Sequence, residues 1–142
     1  METLMWADLL GVPWELHGKT RRGMDCSTLA EEVLCRLGKT PPPTSPFRLP
    51  DTPGTENEMG SYFEMMEEAY ELVGKDADAA THAGDLVLAA DRRGIARHLY
   101  VMVNPDRGTL ITVAHRTGVI AVRRFSIMKV VGVYRLREED TA

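Results

Sequence analysis

Apolar positions fall into two rhythms along the chain. Between residues 26 and 37 they recur at 26, 29, 30, 33, 34 and 37, the spacing of one face of an α-helix. Gly38 follows as a stop signal and Asp25 stands where an N-cap belongs. A second helical spacing runs through Met59, Tyr62, Phe63, Met66, Tyr70 and Val73, predicting a helix over about 57–73 ended by Gly74. Residues 4–10 (LMWADLL) predict a short helix stopped by Gly11, and a loop follows from Pro13 through HGKTRRG. Beyond residue 84 the rhythm shifts to that of strands, at 85–91, 96–103, 109–115, 118–125 and 130–136. The links RRG, NPDRG and RTG read as hairpin connections, which makes the sheet antiparallel. Helices first and a meander afterwards predict an α+β fold.

Between the two predicted long helices, residues 39–54 hold six of the eight prolines, so an irregular connector is expected there. A length of 142 residues with 44% apolar side chains suits one domain spanning 1–142, with the connector and acidic helix inserted at about 39–80. Formal charge is −4, which gives no general basic excess for nucleic acid. The charge is segregated: residues 51–80 carry nine carboxylates against Lys75, and residues 92–137 carry ten Lys or Arg against Asp106. The opening METLMWADLLGVPWE has no basic segment leading into an unbroken apolar stretch, and no run is long enough to span a bilayer. A soluble chain without a signal peptide and without a membrane partner is expected.

The two cysteines, Cys26 and Cys35, are too few for a disulfide framework. On one helix they lie about 13.5 Å apart along the axis and cannot pair. A thiol attacks as its thiolate, and the first turn of a helix favours that form through unpaired N–H groups and the macrodipole. Cys26 has this position and Cys35 has the opposite end. From helix position alone, a small buried core residue remains the commoner use of such a cysteine. Nucleophilic cysteine catalysis also needs an imidazole, commonly oriented by a third polar group. Of the four histidines, His17 and His82 fall in loops. His98 and His115 fall in predicted strands and form the candidate constellation. The histidines and cysteines lack ligand spacing, so no metal is expected.

The run GVPWELHGKTRRGMDCSTL resembles the nucleophile region of the NlpC-type, papain-like cysteine peptidases of the cell wall. Their pattern is a Gly-x-Pro-Tyr segment, a Gly-Gly loop, and Gly-hydrophobic-Asp-Cys-Ser-Gly opening a helix. AGDLVLAADRRGIARHLYVMV resembles that family's Pro-Gly-Asp-Leu strand and the next strand, which begins at a histidine. TVAHRTGVI resembles the strand carrying the orienting histidine. The matches cover residues 11–37 and 83–125, in the family's order. The resemblance implies helices packed on a five- to six-stranded antiparallel sheet, with Cys26 as nucleophile, His98 as general base and acid, and His115 orienting it. The Cys26 N–H would serve the oxyanion. Trp14, Asp25 and Ser27 would line the substrate side.

Departures from the pattern are Trp14 for the tyrosine, His17 for a loop glycine, Thr28 for the glycine after Asp-Cys-Ser, and Leu99-Tyr100-Val101 for Val-Gly-Ile. Thr28 and Tyr100 add bulk near the site. The substrate implied is a peptidoglycan stem peptide, cut near the γ-D-glutamyl to diamino-acid linkage, with no cofactor. Arg21, Arg22, Arg97 and Arg116 are candidates to meet its carboxylates. The long connector, the missing signal peptide and the closing VVGVYRLR resemble phage-type members associated with tail proteins, made in the host cytoplasm and carried in the virion tail. Two alternatives stand beside this: a structural tail-tip or assembly protein that keeps the peptidase fold, and a cysteine acyltransferase or amidase.

Overall fold

The computed structural model describes residues 6–15, 18–20, 22–41, 69–90 and 96–137. The side chains of Lys19, Ser27, Ala96 and Arg97 lie outside the described part, as do 42–68 with most of the connector and of the expected second helix.

The predicted helix after Asp25 is present as α1, Cys26–Arg36. Its start is sealed reciprocally. Asp25 Oδ1 accepts from Thr28 N at 2.9 Å, and Thr28 Oγ1 accepts from Asp25 N at 3.0 Å, so two N–H groups that lack helical partners are satisfied by one pair of residues. Its end is a Schellman arrangement: Gly38 at φ +80° donates to Cys35 O, and Lys39 N donates to Leu34 O, both at 3.0 Å. Leu29, Ala30, Val33 and Leu34 form the buried face. Leu29, Val33 and Leu34 each contribute about 1.5–3 kcal/mol by leaving water.

α1 packs on a six-stranded antiparallel sheet. Its strands are β3 (Tyr70–Gly74), β4 (Leu86–Ala90), β5 (Ala96–Asn104), β6 (Thr109–Ala114), β7 (Gly118–Arg123) and β8 (Val130–Leu136). A separate hairpin pairs β1 (Lys19–Thr20) with β2 (Gly23–Met24). The sheet order is β3-β8-β4-β5-β6-β7. Four strands therefore follow one another as the meander expected, while β8 crosses back to lie between β3 and β4. Alternation divides the side chains. Leu86, Leu88, Leu99, Val101, Val103, Ile111 and Val113 join the helix in the larger core. Val87, Met102, Leu110 and Val133 form a second core on the opposite face.

Three expectations are corrected. The end of the predicted 57–73 helix is strand β3, because Tyr70, Glu71 and Leu72 pair with Leu136, Arg135 and Tyr134 of β8; tertiary pairing outweighs a helical spacing whose earlier part lies outside the described residues. At the N-terminus the described residues give a 3-10 turn, Ala7–Leu9, rather than a full helix, since Leu10 at ψ 133° and Gly11 at φ +85° turn the chain away. α1 is the one α-helix among the described residues, and positions 57–68 of the second expected helix lie outside them. His115, expected in a strand, begins the turn after β6, as β6 ends at Ala114.

The loop leading into β4 is locked by Asp85. This fully buried carboxylate accepts from Thr81 N and His82 N at 3.0 Å each and holds Arg135 of β8 through two contacts of 2.8 Å. The bidentate geometry satisfies both oxygens, which is what a buried charge requires. The hydrogen bond to Asp85 raises the pKa of the Arg135 guanidinium above its ordinary value, against the opposing effect of burial, with the charges of Asp85 and Glu71 adding to the rise.

Candidate active site

Cys26 is the first helical residue after the Asp25 cap and is partly buried against the larger core. This is the position at which backbone N–H groups point out of the helix and the dipole favours a thiolate. Asp25 is 1% exposed, and one of its carboxylate oxygens is occupied by the cap. Thr28, whose bulk distinguishes the chain from the pattern it resembles, is buried and faces back to Asp25, with its Oγ1 also donating to Asp25 O at 3.2 Å. Its extra atoms therefore fix the helix start on which Cys26 sits.

β5 brings His98 opposite Ala89 of β4, and Tyr100 opposite Val87. His98 is exposed and shares a row with Tyr100 and Met102, alternating with the row Leu99, Val101 and Val103 that α1 covers. Tyr100 of this row also feels Cys26. Its phenol is pushed above the ordinary range, first by burial and then by the negative charge of Cys26. Tyr100, which packs with Met102 against the second core, is thus within electrostatic range of the thiol.

His115 lies at the first position of the turn joining β6 to β7, and its ring stacks on Trp14 with centroids 4.1 Å apart and planes 20° from parallel. Trp14 arrives there because its backbone bridges to Met24, two residues before Cys26. The same short segment approaches β7, where Val119 N donates to Val12 O at 2.9 Å. Gly118, at φ +76°, leaves that approach open; a Cβ there would collide with Val12 O.

The other cysteine has a different setting. Cys35 is exposed, and its thiol is pushed up by burial of its sulfur, with Glu31 and then Glu32 adding negative charge. Among the described residues no group of three or more His, Cys, Asp or Glu is arranged to hold a metal, and no helix is long and apolar enough to cross a membrane. Sequence reasoning missed the Thr28 cap, the Trp14–His115 stack and the tie between Tyr100 and Cys26. Only the first had a local signal, a hydroxyl three residues after Asp25.

No family model matches the sequence, and no curated protein matches it. The fold does have a counterpart: the crystal structure of the NlpC/p60 domain of peptidoglycan hydrolase SagA superposes with a TM-score of 0.52 at 14% sequence identity, over 96% of this chain and 99% of that one. Among the described residues, the six-stranded antiparallel sheet with α1 packed on it is the fold that carries this likeness.

Proposed function

We propose that this protein is a peptidoglycan hydrolase acting as a cysteine endopeptidase on stem peptides, with Cys26 as nucleophile, His98 as general base and acid, and His115 orienting His98. The observation that carries the reading is Cys26 at the capped start of the helix packed on a sheet with the fold of a peptidoglycan hydrolase domain. The order of the motifs around Cys26, His98 and His115 supports the same assignment.

In this mechanism His98 takes the Cys26 proton and the thiolate attacks the carbonyl carbon of the scissile amide. The oxyanion of the tetrahedral intermediate is met by the Cys26 N–H. Collapse breaks the C–N bond, His98 gives its proton to the departing amine, and a thioester remains on Cys26. Water, deprotonated by His98, then hydrolyses the thioester and restores the thiol. The bond cut is of the γ-D-glutamyl to diamino-acid type. Asp25 holds the helix start, and Ser27, beside the nucleophile, contacts the substrate. Arg22 and Arg116, both exposed, offer charge to the stem-peptide carboxylates. A setting in a phage tail belongs to the same reading and is tested by probing purified virions with an antibody against the protein.

The test is digestion of purified sacculi by the wild type and by Cys26→Ala. Soluble muropeptides from the wild type alone support the proposal; equal release from both proteins sinks it.

A further inference from the structure

Segment 11–15 has no regular secondary structure, yet it is tied to two neighbours. On one side Gly11 N donates to Val119 O and Val119 N donates to Val12 O, both at 2.9 Å. On the other, Met24 N donates to Pro13 O and Glu15 N donates to Met24 O, also at 2.9 Å. The segment therefore straps the start of β7, just after the turn that holds His115, to the residue that leads into the Cys26 helix. Trp14 stands at its centre, with one face of its indole covered by the His115 ring.

Resting on the cysteine-peptidase reading, we propose that Trp14 is a positioning residue: its indole fixes the plane of the His115 imidazole, and the strap carrying it keeps that ring in register with Cys26. The physical need is plain. His115 is an exposed residue of a turn, and an exposed side chain changes rotamer in picoseconds to nanoseconds. A ring that turns freely cannot orient a second imidazole. Stacking removes most of those orientations while leaving the ring edge, with its two nitrogens, accessible for hydrogen bonds. The strap adds a longer-range constraint, because a shift of segment 11–15 moves the Trp14 ring and the Met24 backbone together. Trp14 thus does something other than wall a groove: its stacked face is engaged before any substrate arrives.

The experiment uses a Cys35→Ser background, in which Cys26 is the single thiol. The rate of Cys26 alkylation by iodoacetamide is followed against pH for Trp14 itself, Trp14→Phe and Trp14→Leu, with a thermal melt for each. A planar ring rescues and an aliphatic one does not: Trp14→Leu slows alkylation at pH 6 by about tenfold and moves the profile towards that of an ordinary thiol, whereas Trp14→Phe stays within about twofold. On a stem-peptide substrate Trp14→Leu lowers kcat with little change in KM. Superimposable alkylation profiles for Trp14 and Trp14→Leu, with matching melts, overturn the proposal. So does a rise in KM at unchanged kcat, which marks Trp14 as a substrate wall.

Should Trp14→Leu fail to fold, the unsubstituted ring decides by NMR. The His115 Cε1 proton is expected upfield of that of His82 through the indole ring current, and its absence overturns the stack. Wild-type protein that shows the displaced alkylation profile and the Trp14 dependence but releases no muropeptides upholds the positioning role and counts only against the substrate proposed above.

Discussion

At its first residue α1 places Cys26 behind a buried aspartate cap, beside the Trp14 strap and within electrostatic range of Tyr100. One residue before its end it places Cys35, exposed, next to a carbonyl-rich terminus and two glutamates that push its thiol up. Both side chains are the same thiol on the same helix. The difference lies in the helix end and its neighbours, since the dipole reverses and orphaned N–H groups give way to orphaned carbonyls between the two positions.

The largest effect that separates the two ends is on turnover. Cys26→Ala is expected to lower muropeptide release by on the order of 10⁴-fold or more, while Cys35→Ala leaves the rate within about twofold of wild type, as a surface change away from the site should. Comparable losses from both substitutions would erase the distinction.

Alkylation measures the same contrast without substrate. At pH 7 Cys26 is expected to react with iodoacetamide at least about tenfold faster than Cys35, by peptide mapping of the modified protein. The sign for Cys35 follows from its direction of shift. A thiol pushed up stays protonated to higher pH, so its alkylation rises later with pH than that of a free thiol.

Stability should respond at each cap separately. Thr28→Val keeps the shape and removes the hydroxyl of the reciprocal cap, costing about 1 kcal/mol in urea unfolding. It is also expected to slow Cys26 alkylation and leave Cys35 unchanged. Gly38→Ala strains the left-handed position at the other end, by about 1–2 kcal/mol, with the reverse selectivity at most. A Thr28→Val protein with both thiols unaltered would separate the cap from the chemistry.

The smallest effect is expected from Arg36. Its guanidinium reaches Asp8 at 2.6 Å and Glu32 at 2.8 Å, clasping the N-terminal 3-10 turn to the Cys35 end of the helix. These side chains are partly exposed to solvent, so Arg36→Ala should cost at most about 1 kcal/mol, diminishing with added salt. A much larger loss would show that the C-terminal end of α1 carries more of the fold than its exposure suggests.

Much of this arrangement was legible because local rules decided it. The Asp25 cap, the α1 face and the Gly38 stop are written within a few residues of one another, and β8 was predicted with its observed bounds, Val130–Leu136, from the strand-like composition of VVGVYRL. β3 was misread because Tyr70 and Val73 continue a helical spacing, and only their pairing with β8 decides between the two rhythms. The hairpin β1–β2 has strands of two residues each, too short for any alternation. The stack of Trp14 on His115 joins positions far apart in the chain, and neither position signals the other. The place of Cys26 at a capped helix start was therefore readable from its surroundings in sequence, whereas the stack of Trp14 on His115 is long-range.

The placement of β8 has a consequence for how the protein is made. During synthesis α1 emerges early, and β4 to β7 can pair as a meander while the chain is still growing, yet the position between β3 and β4 stays vacant until residues 130–136 have left the ribosome. Until then the inner edges of both strands are open and Asp85 waits for Arg135. β8, the last of the described strands to be made, is thus the keystone of the sheet, and a chain interrupted before it leaves β3 detached from β4 and the Asp85 carboxylate without its guanidinium partner.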